Sequence, residues 1–293
     1  MLRKLLSAGI AILATLSLLA FLALRDDPAR RAAGERRIAE TDDTEIHYFA
    51  SGPATGRIVA LVPSYARSAS DFNELVAELG AAGHRTLAVQ PRGIDGSTLP
   101  SLQTSLHTYA DDLRTVLDAE GHTEPVVVIG HAYGNRVART FGADFPERTR
   151  ALVLLAAGGE EPTPPEMTQA ISKALFGVYP DRMRRDAIDL AFFAEGNSVP
   201  DHWLRGWYPW AGLAQAGATA RTPFGEWGGG GSAPILVVQP AEDGVAGAGG
   251  TLLAQRFPER VQLVTVAGAG HAILPEQPER VGRAVVDYLR SLP

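Results

Sequence analysis

The segment Val126-Val-Val-Ile-Gly-His-Ala-Tyr-Gly-Asn-Arg-Val-Ala-Arg139 limits what this chain can fold into more than any other. Its apolar start, Val126 to Ile129, has the length and β-branched character of a fully buried strand. Gly130 and Gly134 bracket a turn that leaves no room for a Cβ against the neighbouring strand and helix. A helix-forming run follows from Asn135. Strand, Gly-x-x-x-Gly turn and helix make the strained corner on which open α/β sheets present a nucleophile. The corner residue is Ala132, which carries no nucleophilic atom. The spacing therefore predicts the scaffold of a nucleophile without the nucleophile.

Around this corner the chain alternates strands and helices. Strands are predicted at Thr44–Ala50, Arg57–Val62, His84–Val89, Arg150–Ala156, Pro234–Gln239 and Val261–Val266. Helices are predicted at Asp71–Ala82, Leu106–Ala119, Thr251–Phe257 and Pro278–Leu292. Such alternation predicts a mostly parallel, doubly wound α/β sheet with helices on both faces. The rhythm breaks between Glu160 and Ser232. That stretch has no strand pattern, has helical stretches at Glu166–Phe176 and Arg182–Glu195, and holds Trp203, Trp207, Trp210 and Trp227.

Ligands of open α/β sheets bind at the carboxyl ends of the strands, so the polar residues there are the ones to weigh. Asp243 follows the strand ending at Gln239, and His271 follows the strand ending at Val266. Either alone is an ordinary loop residue. With position 132 they fall in the order nucleophile, acid, histidine. A carboxylate there fixes the imidazole tautomer, and the imidazole acts as base. Glu242 is the second-choice carboxylate. Acyl transfer also needs main-chain N–H groups aimed at a developing oxyanion. Tyr133, next after the corner, is one candidate donor. Tyr65, in the Pro63-Ser64-Tyr65 loop after the strand ending at Val62, is the other. Ser64 either caps that turn or faces the pocket. His131 is read as a packed histidine rather than a catalyst.

These marks resemble the α/β-hydrolase superfamily over about Ile38 to Pro293. The likeness rests on Pro91-Arg-Gly-Ile-Asp-Gly-Ser97, Gly130-His-Ala-Tyr-Gly134, the Asp243 turn, Gly270-His271 and Leu274-Pro-Glu-Gln-Pro-Glu279. The resemblance implies an α/β-hydrolase fold for residues 38–293 with a helical cap inserted at 160–232. It also implies chemistry on small esters, lactones, epoxides or halides. The chain departs from the superfamily in having Pro63-Ser64 where many members have His-Gly, and in Ala132.

Removing the serine of a Ser-His-Asp site lowers kcat by roughly 10⁶-fold, which corresponds to about 8 kcal/mol of barrier. An acyl-enzyme on residue 132 is therefore excluded. The leading expectation is an enzyme in which His271 and Asp243 activate water or a substrate proton on a small, partly apolar ester- or lactone-like substrate. Alternatives are a different hydroxyl such as Ser64 as nucleophile, a non-catalytic small-molecule-binding pseudoenzyme, or a Ser-to-Ala variant of a serine esterase. Trp207 and Trp210 are expected to line the substrate pocket.

The N-terminus and composition set the remaining bounds. Arg3 and Lys4 precede an uncharged run from Leu5 to Leu24, closed by Arg25-Asp26-Asp27-Pro28. Residues 1–24 thus read as a signal peptide or a membrane anchor, with Ala20 and Ala23 the nearest cleavage candidates. Residues 25–37 read as a charged tether. Either reading places the domain outside the cytoplasm, secreted, periplasmic or anchored. The absence of cysteine excludes disulfides and thiolate chemistry, and a net charge of -6 without a basic block argues against nucleic acid. No metal-ligand spacing or phosphate loop stands out, so neither metal nor cofactor is expected. The protein is expected to act as a monomer on a small-molecule substrate, meeting the membrane only through its N-terminal segment.

Overall fold

The computed structural model describes residues 14–27, 29–41 and 43–293. One sheet has the strand order β1-β2-β4-β3-β5-β6-β7-β8. Its strands are β1 (Glu35–Glu40), β2 (Glu45–Ser51), β3 (Ile58–Val62), β4 (Arg85–Val89), β5 (Val126–His131), β6 (Thr149–Leu155), β7 (Ile235–Pro240) and β8 (Val261–Val266). The α-helices are α1 (Asn73–Ala81), α2 (Leu106–Ala119), α3 (Tyr133–Asp144), α4 (Pro165–Leu175), α5 (Asp181–Phe192), α6 (Pro209–Arg221), α7 (Phe224–Trp227), α8 (Gly249–Arg256), α9 (Ile273–Glu276) and α10 (Pro278–Ser291). Residues 14–24 are also helical. Strand β2 is antiparallel to β1 and β4, and every pairing from β4 across to β8 is parallel.

The parallel strands are apolar on both faces because helices cover both. Successive side chains of a strand point to opposite sides. On β5, Val126 and Val128 enter one core layer while Val127 and Ile129 enter the other. Strand β7 repeats this with Ile235 and Val237 against Leu236 and Val238. Leu113, Val116, Val137 and Phe141 of α2 and α3 cover the first face; Leu75, Leu79, Val281 and Val285 of α1 and α10 cover the second. Each fully buried Val or Leu contributes about 1.5–3 kcal/mol, and this alternation fixes the register that places the strand ends.

The insertion between β6 and β7 is helical. Helices α4 and α5 with Trp203 and Trp207 build a separate core above the sheet. Its last part behaves differently, since Trp227 joins the sheet's own core with Phe224 packed against it. Helix α6 is absent from the sequence expectations. Its buried face is Ala211, Gly212, Ala214, Gln215 and Ala218, too small and too mixed to show an apolar stripe.

The N-terminal boundary needs correcting. The sheet opens at Glu35, inside the stretch 25–37 read as a tether. Only Ala39 of β1 is buried, so this charged edge strand has no strand-like alternation to read. The rest of that stretch is fastened as well. The Asp27 N–H donates to the Trp207 carbonyl at 3.0 Å, and its carbonyl accepts from Gly206 N–H at 2.7 Å. Arg184 reaches the Asp27 carboxylate at 3.1 Å, and Arg30 reaches Glu74 at 2.7 Å. The basic start and much of the apolar run, residues 1–13, lie outside the described residues. Among the described residues no helix is long and apolar enough to cross a membrane.

Candidate active site

The corner after β5 is built as its glycines require. A Cβ on Gly130 would overlap the Gly134 carbonyl, and one on Gly134 would overlap the Val62 carbonyl of the neighbouring strand. Ala132 itself sits at φ 50, ψ −109, a strained conformation for a residue with a Cβ. Its N–H donates to Leu155 O at 3.0 Å, and its carbonyl accepts from Asn135 N–H at 3.1 Å and from the Asn135 side-chain amide. Anchored on both sides, the Ala132 side chain faces a cavity.

That cavity, about 360 Å³, lies between the carboxyl edge of the sheet and the cap. Ala132, Tyr133, Ser64, Tyr65 and His271 all line it. Behind His271 stands Asp243, with Nδ1 at 3.0 Å from both carboxylate oxygens. Because a carboxylate only accepts, Nδ1 carries the proton and Nε2 is left as the basic nitrogen. Asp243 Oδ1 also accepts from Val245 N–H at 3.0 Å and Ala246 N–H at 2.8 Å. Burial raises the Asp243 carboxyl pKa, but the His271 imidazole and these N–H groups outweigh burial and hold it below the usual carboxylate value. Glu242 is exposed and takes no part.

The backbone N–H groups beside Ala132 differ in whether they have acceptors. Tyr133 is the first residue of α3, so its N–H has no acceptor within the helix. In the loop after β3, Ala66 N–H donates to the Gln215 side chain at 2.7 Å and Arg67 N–H to Ser64 O at 3.2 Å. Ala66 holds φ 53 there. With those two N–H groups occupied, Ser64 and Tyr65 are the loop residues that line the cavity and have no acceptor for their N–H among the described residues.

Two predicted pocket residues stand elsewhere. Trp207 is 1% exposed and lies under the Arg67 guanidinium at 4.8 Å, against Phe192, with its indole N–H on Trp203 O. Trp210 is 44% exposed, on the solvent side of α6 beside the exposed Leu213, and does not line the cavity. The apolar lining comes instead from Ile171, Leu175, Phe192 and Val245. The Phe192 ring lies 5.9 Å from the His271 ring. His131 is fully buried, as a packing residue should be, with Nε2 at 2.9 Å from the His271 carbonyl.

Sequence reasoning missed Gln215, Arg136 and Glu276. Glu276 accepts from Gly270 N–H at 2.7 Å, Ala194 N–H at 2.7 Å and the Asn197 amide at 2.6 Å, so it ties the His271 loop to the cap. Its sequence signal is its place in the Leu274–Glu279 motif after the histidine, which assigned it no role. No group of metal-ligating side chains occurs among the described residues.

Comparison with known proteins agrees with this architecture. A family model described as alpha/beta hydrolase fold matches residues 58–216, more than half of the chain. A monoacylglycerol lipase of Mycolicibacterium smegmatis is 26% identical over 239 residues, 76% of this chain and 84% of that protein. Epoxide hydrolase B of Mycobacterium tuberculosis is 31% identical over 121 residues, a match confined to 40% of this chain and 34% of that protein. The crystal structure of the esterase RhEst1 from Rhodococcus sp. ECU1013 has a TM-score of 0.73 at 23% identity, covering 88% of this chain and 99% of that one.

Proposed function

The chain belongs to the alpha/beta hydrolase family, and on that premise we propose that it hydrolyses a small, partly apolar ester or lactone, with His271 and Asp243 activating water in place of a serine. The observation that carries this reading is the His271–Asp243 pair at 3.0 Å, set in the wall of the cavity that Ala132, Tyr133 and Tyr65 also line. A dead binding pocket has no use for an oriented imidazole base beside free N–H groups.

In this reading a water occupies the place a serine hydroxyl would take above the Ala132 methyl. His271 Nε2 removes its proton as the oxygen attacks the substrate carbonyl, and Asp243 stabilises the imidazolium. The Tyr65 and Tyr133 N–H groups hold the resulting oxyanion. Collapse of that intermediate breaks the C–O bond, and the departing alkoxide takes the proton from His271. Without a serine such sites keep only about 10³–10⁴-fold acceleration over water, so activated esters and strained lactones are the substrates within reach.

The test is hydrolysis of short p-nitrophenyl esters and of lactones by the full chain and by His271→Ala. The expected result is turnover that this variant loses; equal rates for the two proteins in every assay would sink the proposal. Ligand-induced thermal stabilisation without turnover would instead support a binding-only pseudoenzyme. The site is proposed to work outside the cytoplasm, secreted, periplasmic or anchored by the N-terminal segment. The apolar run Leu5–Leu24 supports this, as do the exposed Leu16, Leu18, Leu19 and Phe21. Recovery of the protein in the cytoplasmic fraction of its cells would contradict it.

A further inference from the structure

Arg136 lines the same cavity, one turn of α3 beyond Ala132, about 6 Å along the axis at 1.5 Å per residue. Its surroundings are unusual for a guanidinium. Among the described residues it has neither an ion pair nor a side-chain hydrogen bond. Arg139, one turn further on, shows the contrast. It also lacks a carboxylate, but its nitrogens reach the carbonyl oxygens of Gly158 and Gly228. Arg136 lies over the Trp227 ring, 5.3 Å from its centroid, beside Arg139 over the same ring at 4.8 Å, and it lines the cavity with no acceptor of its own among the described residues. Burial lowers the pKa of this guanidinium, as expected of a cation taken from water without a counter-ion. The carboxylate among the lining residues, Glu161, is exposed and makes no ion pair with it.

A half-buried cation without a partner is costly to keep, and the cost is offset when a ligand brings the anion. We infer that Arg136 recognises a carboxylate on the substrate, so that the cavity selects esters or lactones bearing a free acid group. The apolar wall of Ile171, Leu175 and Phe192 takes the hydrocarbon between the acid and the reacting carbonyl. This assignment rests on reading the cavity as the substrate site. It does not depend on whether the site turns its ligand over.

Binding therefore tests it separately from catalysis. The probes are 4-phenylbutyrate and its neutral amide, titrated calorimetrically into the full chain, into Arg136→Met and into His271→Ala. The parent should bind the carboxylate about tenfold or more tightly than the amide, as charge-assisted pairing predicts. Arg136→Met should lose that preference while keeping its affinity for the amide, and His271→Ala should retain it. Trp227, beneath Arg136, supplies a local signal: its emission should change with the carboxylate and fall silent in Trp227→Phe. Arg136→Met without ligand should melt at or above the parent temperature, since it removes an unpaired cation. Equal binding of the two probes, binding of neither, a preference that survives Arg136→Met, or a clear drop in its melting temperature would each overturn the assignment. A carboxylate preference without ester turnover would leave Arg136 assigned and remove the catalytic proposal; turnover without the preference would do the reverse.

Discussion

The imidazole of His131 donates its Nε2 proton to the main-chain carbonyl of His271, 2.9 Å away. A carbonyl only accepts, so the tautomer of the buried ring is fixed by the residue whose loop it holds. Burial drives the His131 pKa from 6.5 down to about 4. Between those values the unfolded chain binds a proton that the folded chain refuses, so this group makes stability rise with pH across the window and fall as pH drops from 6.5 towards 4. The full effect is about 3 kcal/mol. Melting temperature measured from pH 4 to 7 should show a shallower slope for His131→Gln than for the parent. Parallel slopes would refute the assignment.

Ala132→Ser should place a nucleophile at a corner whose strained backbone suits one. In the reverse direction the serine of such a site is worth roughly 10⁶-fold in kcat. The variant should hydrolyse p-nitrophenyl butyrate at least 10³-fold faster than the parent, on the order expected when a nucleophile joins an existing base and oxyanion site. It should also be labelled by a fluorophosphonate that leaves the parent unmarked. Absence of both would mean that His271 and the Tyr65 and Tyr133 N–H groups are not in working register.

Gln215 is buried and accepts from the Ala66 N–H, which holds the Tyr65 loop against α6. Gln215→Leu should orphan that N–H and lower stability by about 1–3 kcal/mol. In the Ala132→Ser background it should lower kcat with KM little changed, because the Tyr65 N–H proposed as oxyanion donor would act chiefly in the transition state. A change confined to KM would argue that the loop only shapes the pocket.

Glu276 makes the equivalent prediction for the histidine side. With one oxygen fewer to accept, Glu276→Gln should leave Gly270 or Ala194 with an unpaired N–H, at a cost of about 1–3 kcal/mol. Proteolysis near Asn197, whose side-chain amide binds the same carboxylate, should become faster under native conditions. An unaltered cleavage rate would show that other contacts hold the cap.

How much of this was legible in the sequence depended on the range of the signal. The Gly130–Gly134 corner was readable because only glycine fits its close approach to Val62. Asp243 and His271 were readable because both follow apolar strands in a fixed order. Strand β1 was not, since an edge strand needs little burial and keeps its charges outward. Helix α6 was hidden by its small residues. Trp207 and Trp210 were assigned to the pocket because aromatic content reveals how much apolar surface exists, but not which face receives it. The pairing of Gln215 with Ala66 joins residues far apart in the chain and leaves no local pattern. Position 136 was visible; the lack of a partner for its guanidinium was not.

The Asp27–Arg184 ion pair decides where a shortened version of this chain could begin. The Arg184 side chain is 3% exposed, and among the described residues the only other carboxylate paired with it, on Asp181, is 3.9 Å away. Cloning from residue 28 onward, which removes the whole apolar run, would leave that buried guanidinium only the more distant Asp181 carboxylate and the Ala174 carbonyl, and would free the segment around Trp207. A boundary placed before Asp26 removes the apolar run and keeps the pin. Recombinant material of the two lengths should therefore differ in cap order, and activity measured on the shorter one would describe a loosened pocket.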